Sequence, residues 1–135
     1  LPGDRGLLDT SVAVDLGSLD SARLPVEIAI SALTLAELSA GPHAAGDEIT
    51  QARRQLQLQQ VEADFETVPF DPRCARAYGR IYAAVDGAGR KPRGGRAVDL
   101  MIAATALTNN LPLYTRNAKD LHGLEELIEI VDVSA

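Results

Sequence analysis

The sequence has one cysteine, one methionine and no tryptophan. A lone thiol, Cys74, cannot form an intrachain disulfide, which fits a reducing compartment, the cytoplasm. One cysteine and two histidines, His43 and His122, cannot supply the clustered ligands of a structural zinc site. Neither histidine sits in a motif that would activate Cys74, so the thiol reads as a filler or a surface thiol. Aromatic residues make up only 4% of the chain, which excludes a stacking platform for single-stranded bases. No apolar run reaches the roughly 18 residues of a membrane span, so no membrane partner is expected. The first six residues are short and carry Asp4, unlike a signal peptide. Basic residues are also scarce: 13 against 19 acidic, a net charge of −6. That balance argues against a general nucleic-acid binder. It weakens as an argument if the acidic residues gather to hold a cation, which reverses the local sign.

What is present is a globular composition, 46% apolar and 24% charged. A chain of 135 residues fits one domain, 1–135, and can bury a core without covalent staples. There is no internal repeat, low-complexity segment or linker.

Gly6-Leu7-Leu8-Asp9-Thr10 reads as a short buried strand ending at an acid, with a helix starting over Ser11–Leu16. Val26–Ser31 is β-branched and alternating, a second strand. A helix over Leu33–Ala40 is expected to stop at Gly41-Pro42. Asp47–Ala63 reads as a helix with Ile49, Ala52, Leu56 and Gln59 at helical spacing and Leu56 as its anchor. Phe65–Phe70 is a third strand. Asp71-Pro72 then caps a helix to about Val85, with proline at the preferred first position. After a loop over Gly87–Gly95 comes a helix, Ala97–Asn109, with Met101, Ala104 and Leu107 along one side. Leu111–Thr115 is a strand, Asn117–Leu121 a helical turn and Ile128–Val133 a terminal strand. Strands alternating with helices predict an α/β fold, an α/β/α sandwich on a mainly parallel sheet.

Open parallel sheets bind ligands beyond the carboxyl ends of their strands. Five polar residues fall there: Asp9 at the end of the first strand, Glu37 in the helix after the second, Asp99 in the first turn of its helix, and Asn117 and Asp120 after Thr115. Carboxylates gathered at one edge repel by about 4 kcal/mol per pair at ~4 Å and intermediate dielectric. A hard divalent cation removes that repulsion, activates water and stabilises charge on a phosphoryl oxygen. Each residue also has a plainer reading. Asp9 serves equally as a helix cap, Glu37 as a solvated helix residue, Asp99 as a partner of the helix dipole, and Asn117 with Asp120 as a relative of the capping box.

Four segments in order, Leu7–Ser11, Thr34–Leu38, Asp99–Ala106 and Tyr114–Asn117, resemble the PIN-domain nucleases, and more narrowly the VapC toxins of bacterial VapBC modules. The resemblance implies an endoribonuclease using Mg²⁺, with Mn²⁺ able to substitute. It makes Asp9 and Asp99 the metal ligands and Glu37 the third acid. The fourth position, often aspartate in the family, falls on Asn117, which can still accept through its amide oxygen but brings no charge. That departure leaves open a one-metal site, or a supporting role for nearby Asp120. Thr10 and Thr115 are candidates to orient waters around the metal. The resemblance also implies a VapB-type antitoxin that reaches into the active-site groove, and a homodimer. Hydrolysis would leave a 5′-phosphate and a 3′-hydroxyl. Two rivals stay open: a catalytically weak or silent PIN-fold module that grips antitoxin or RNA, and a phosphoryl-transfer enzyme acting on a small molecule. Gly87–Arg96 concentrates four basic residues, Arg90, Lys91, Arg93 and Arg96, just ahead of Asp99. It is either an RNA-backbone contact or a solvated loop. With so few aromatics, a structured RNA read by shape is the expected substrate.

Overall fold

Five short strands form one sheet in the computed structural model, which describes residues 4–89 and 95–134. They are β1 (Arg5–Leu8), β2 (Glu27–Ser31), β3 (Glu66–Val68), β4 (Leu113–Thr115) and β5 (Ile130–Asp132). The order is β3-β2-β1-β4-β5, and every neighbouring pair is parallel. The helices are α1 (Thr10–Ala13), α2 (Ala32–Ala44), α3 (Glu48–Asp64), α4 (Pro72–Gly87) and α5 (Gly95–Thr108). Among the described residues no helix is long and apolar enough to cross a membrane.

Alternation along the strands divides the core in two. Leu7, Ala29 and Leu113 face one side and pack with Ile81, Val85 and Leu100 of α4 and α5. Their neighbours Leu8, Ile30 and Tyr114 face the other side and pack with Val12, Leu38 and Val61 of α1, α2 and α3. Successive side chains in a strand point to opposite faces, so a central strand covered on both sides is apolar at every position. This is the expected α/β/α sandwich.

Several boundaries differ from the sequence reading. Helix α2 does not stop at Gly41-Pro42; it continues to Ala44 with Pro42 inside and buried. A proline in the last turn removes only one hydrogen bond, and Arg54 Nη1 donates to the Gly41 carbonyl at 2.9 Å. The first helix ends at Ala13, followed by a 3₁₀ turn at Leu16–Ser18. The strands starting at Phe65, Leu111 and Ile128 shorten to three residues each. Helix α3 buries Leu58 and Val61, whereas Ile49 and Leu56 are exposed. Helix α5 buries Leu100 and every residue from Ile102 to Ala106, while Met101 and Leu107 are only half-buried. It packs along α4 and shares a core with the sheet residues Leu7, Ala29 and Leu113, so much of its circumference is covered. Asp71 does cap α4 as expected, accepting from the Cys74 N–H at 3.0 Å. Most of the Gly87–Gly95 loop, including Arg90, Lys91 and Arg93, lies outside the described residues.

Candidate active site

Strands β1 and β4 are neighbours, yet β1 leads on to β2 on one side and β4 leads to β5 on the other. Their carboxyl ends therefore open a crevice at the switch point of the sheet. Leu8 is paired with Tyr114, so Asp9 and Thr115 emerge side by side, and the Asp9 N–H donates to the Tyr114 carbonyl at 3.0 Å. A cavity of about 40 Å³ lies here, lined by Asp9, Ser11, Asp99, Thr115 and Asn117. That is room for an ion or a few waters.

Asp9 is indeed the N-cap of α1: its Oδ1 accepts from the Val12 N–H at 3.2 Å. The same oxygen also accepts from Ser11 Oγ at 2.6 Å, so capping draws on one oxygen of the carboxylate. Ser11 Oγ in turn accepts the Arg116 N–H at 3.1 Å, tying the end of β1 to the segment after β4. Ser11 was not among the candidate site residues of the sequence, although it ends the Leu7–Ser11 segment. Its place two residues after Asp9 was visible, but its cross-strand partner was not. Arg116 forms an ion pair with Asp15.

Glu37 lies in the second turn of α2 and accepts from Thr10 Oγ1 at 2.6 Å. Thr10 Oγ1 is also 3.0 Å from Oγ1 of the buried Thr34. Thr10 thus orients Glu37, and Thr115 Oγ1 accepts from the Asn117 N–H at 3.0 Å. Glu37 also lines a larger cavity of about 370 Å³ with Val14, Leu38, Arg53 and Gln57. That cavity holds a single carboxylate, so the smaller crevice is the better candidate for acid chemistry.

Because α5 begins at Gly95, Asp99 sits one turn inside it rather than in its first turn. The helix dipole acts mainly within that first turn, so it does not account for the residue. Burial first, and then the charges of Asp9, Glu37 and Asp120, push the Asp99 carboxyl above the usual carboxylate range; Arg96 partly offsets them. Asp99 keeps an accessible face, so the desolvation comes from the protein packed on its other side. Asn117 makes no capping bond with its side chain, unlike the plainer reading of it. Asp120 is exposed, and its carbonyl accepts from Arg96 Nη1 at 2.9 Å.

The structure thus brings Asp9, Asp99 and Asn117 around one cavity and sets Glu37 and Asp120 within electrostatic reach of Asp99. Among the described residues no three His, Cys, Asp or Glu side chains close into a preformed metal cage. A hard divalent ion fits that arrangement, since the donors are all oxygen and Mg²⁺ keeps several waters beside one or two carboxylates.

Comparison with known proteins agrees with the geometry. The PIN domain family matches residues 7–125. Ribonuclease VapC5 of Mycobacterium tuberculosis is 39% identical over 115 residues, 83% of this chain and 82% of the relative. The crystal structure of VapBC-5 from the same organism superposes with a TM-score of 0.79 at 36% identity, covering 96% of this chain and 99% of that one. VapBC-1 of nontypeable Haemophilus influenzae shares the fold at 21% identity, with a TM-score of 0.76 over 97% of this chain and 99% of that one. With the acidic crevice at the β1–β4 switch point, these likenesses establish that the chain belongs to the PIN-domain family, in its VapC branch.

Proposed function

We propose that this chain is a metal-dependent endoribonuclease, the toxin of a toxin–antitoxin pair, which hydrolyses phosphodiester bonds in structured RNA. The observation that carries the reading is the gathering of Asp9, Asp99 and Asn117 around one small cavity, with Glu37 and Asp120 close enough to raise Asp99. The names of the relatives, ribonucleases of the VapC type, supply the chemistry that this crevice suits.

Asp9 and Asp99 would hold the ion, Mg²⁺ by the hardness of the donors, with Mn²⁺ able to replace it. When bound, it supplies an activated water and neutralises charge growing on the phosphoryl oxygen. The chain's own residues do the positioning. Ser11 and the Val12 N–H fix Asp9 Oδ1. Thr10 Oγ1 holds Glu37, whose carboxylate would position the attacking water. Asn117 offers an amide oxygen without charge, and Asp120 adds negative potential from the edge. The partner is a VapB-type antitoxin, whose basic side chain would answer the anionic crevice. The active form is a homodimer in the cytoplasm.

The test is cleavage of a labelled mixture of structured RNAs with Mg²⁺, with Mn²⁺ and with EDTA. Cutting that needs the metal and stops in EDTA is the expected result, and free nucleotides should not compete. If calorimetry shows metal binding but no RNA is cut, the silent-module reading replaces this one. Ser11→Ala should lower metal affinity or cleavage by roughly 10–100-fold, the usual cost of losing a group that orients a ligand. An unchanged variant would show that Asp9 needs no such support.

A further inference from the structure

We infer that α4 carries a phosphate-binding ridge that extends the RNA path away from the acidic crevice. This rests on the ribonuclease reading above. Residues 72–98 hold seven of the thirteen basic residues but only one of the nineteen acidic ones, Asp86. The region is therefore cationic within a chain whose net charge is −6. Three of its arginines, Arg73, Arg76 and Arg80, stand at i, i+3 and i+7, on one flank of α4. All three are exposed, while Cys74, Ile81 and Val85 fill the opposite, buried side.

Arg73 pairs with Asp71 at 3.4 Å. Arg76 and Arg80 make no hydrogen bond or ion pair among the described residues. Two guanidinium groups kept on one flank with no protein acid to answer them are suited to an anion from outside. The ridge spans roughly 10 Å along the helix axis at 1.5 Å per residue. Guanidinium forks match phosphate oxygens in pairs, and an anionic backbone is the ligand that presents them in a row. Helix α4 packs along α5, the helix that carries Asp99. Arg96 stands in the first turn of α5, three residues before Asp99, so positive charge also stands beside the crevice itself. The ridge and Arg96 together give RNA a cationic approach to a site whose own acids would repel it.

The experiment is equilibrium binding of a labelled RNA hairpin to the full chain across a salt series, with Arg76→Gln and Arg80→Gln combined. It is done in EDTA, where no cleavage occurs, with cleavage in Mg²⁺ measured separately. The double variant should bind about tenfold more weakly at low salt, with a log–log salt slope shallower by about 2, one for each lost phosphate contact. Both side chains are exposed, so the melting temperature should not move. An unchanged affinity and slope, in a chain that binds and cuts RNA, overturns the ridge alone. A weaker affinity with an unchanged slope overturns it too, because the arginines would then act other than by neutralising phosphates. Absence of RNA binding and cleavage in the unaltered chain overturns the ribonuclease reading and the ridge together.

Discussion

Asp99→Asn is expected to reduce RNA cleavage by roughly a thousandfold or more while raising the melting temperature of the metal-free protein. Losing a metal ligand removes several kcal/mol of transition-state stabilisation, and about 1.4 kcal/mol is a factor of ten. The gain in stability follows from the raised carboxyl. Burial, and then the charges of Asp9, Glu37 and Asp120, lift it above its ordinary value of 3.8. A carboxyl raised in the folded state contributes stability that is fully present below 3.8 and lost as pH climbs through the raised value. Asparagine has no proton to lose. The variant should therefore melt above the unaltered protein in EDTA, with a gap that opens as pH rises from 3.8 and then levels. Asp47, Asp71 and Asp132 are shifted downward and lose their contribution on acidification, but they do so in both proteins and cancel in the difference. Added Mg²⁺ or Mn²⁺ should stabilise only the unaltered chain, by about 2.7 kcal/mol at a hundred times the dissociation constant. A variant that melts lower at every pH in EDTA would sink the like-charge account. Retained cleavage would remove Asp99 from the site.

Gly6→Ala is the second large effect, a loss of about 1–3 kcal/mol that we place at the upper end of that range. Gly6 lies in β1 against the fully buried ring of Tyr114 in β4. An added Cβ would stand 2.9 Å from Tyr114 Cδ1, closer still to Cε1, and 3.1 Å from Pro25 Cγ. Neither neighbour is the end of a flexible side chain. The ring is enclosed on the α1–α3 side of the sheet, and a proline cannot swing away. The requirement is for space, not for an unusual backbone angle, since Gly6 is not among the positive-φ residues. Urea denaturation should show a lower midpoint with an unchanged slope. Tyr114→Phe is the matched control. The Tyr114 hydroxyl is buried without a partner among the described residues, so removing it should leave stability equal or higher. If Gly6→Ala were neutral, β1 and β4 would have to be able to separate, and the crevice they form could not be rigid.

The architecture was legible because the signals were local and repeated. Asp71-Pro72 announced α4, and the apolar runs at Leu7-Leu8 and Leu113-Tyr114 announced strands covered on both faces. The failures have a common cause. On α3, Ile49 and Leu56 lie on one side and Leu58 and Val61 on another, and both arcs are plausible as the buried face. Which one is buried depends on where α2 and the sheet lie, not on the helix itself. Likewise Gly41-Pro42 is a valid stop signal, overridden because Pro42 gained burial and Arg54 took up the Gly41 carbonyl.

For the site, the sequence by itself supplied the candidates: Asp9, Glu37, Asp99 and Asn117, each in a segment that resembles one family, with Asp120 close by. Residue type and spacing carry that information, because a hard divalent cation requires oxygen donors. Only the tertiary structure decided how they meet. It put Asp9, Asp99 and Asn117 around one cavity, set Glu37 on a bond from Thr10, and gave Ser11 a partner at Arg116, 105 positions away. It also decided that Arg76 and Arg80 face outward with no acid paired to them among the described residues. Contacts between residues so far apart follow from strand order and helix packing, and those are properties of the whole chain collapsing on one sheet rather than of any segment in it.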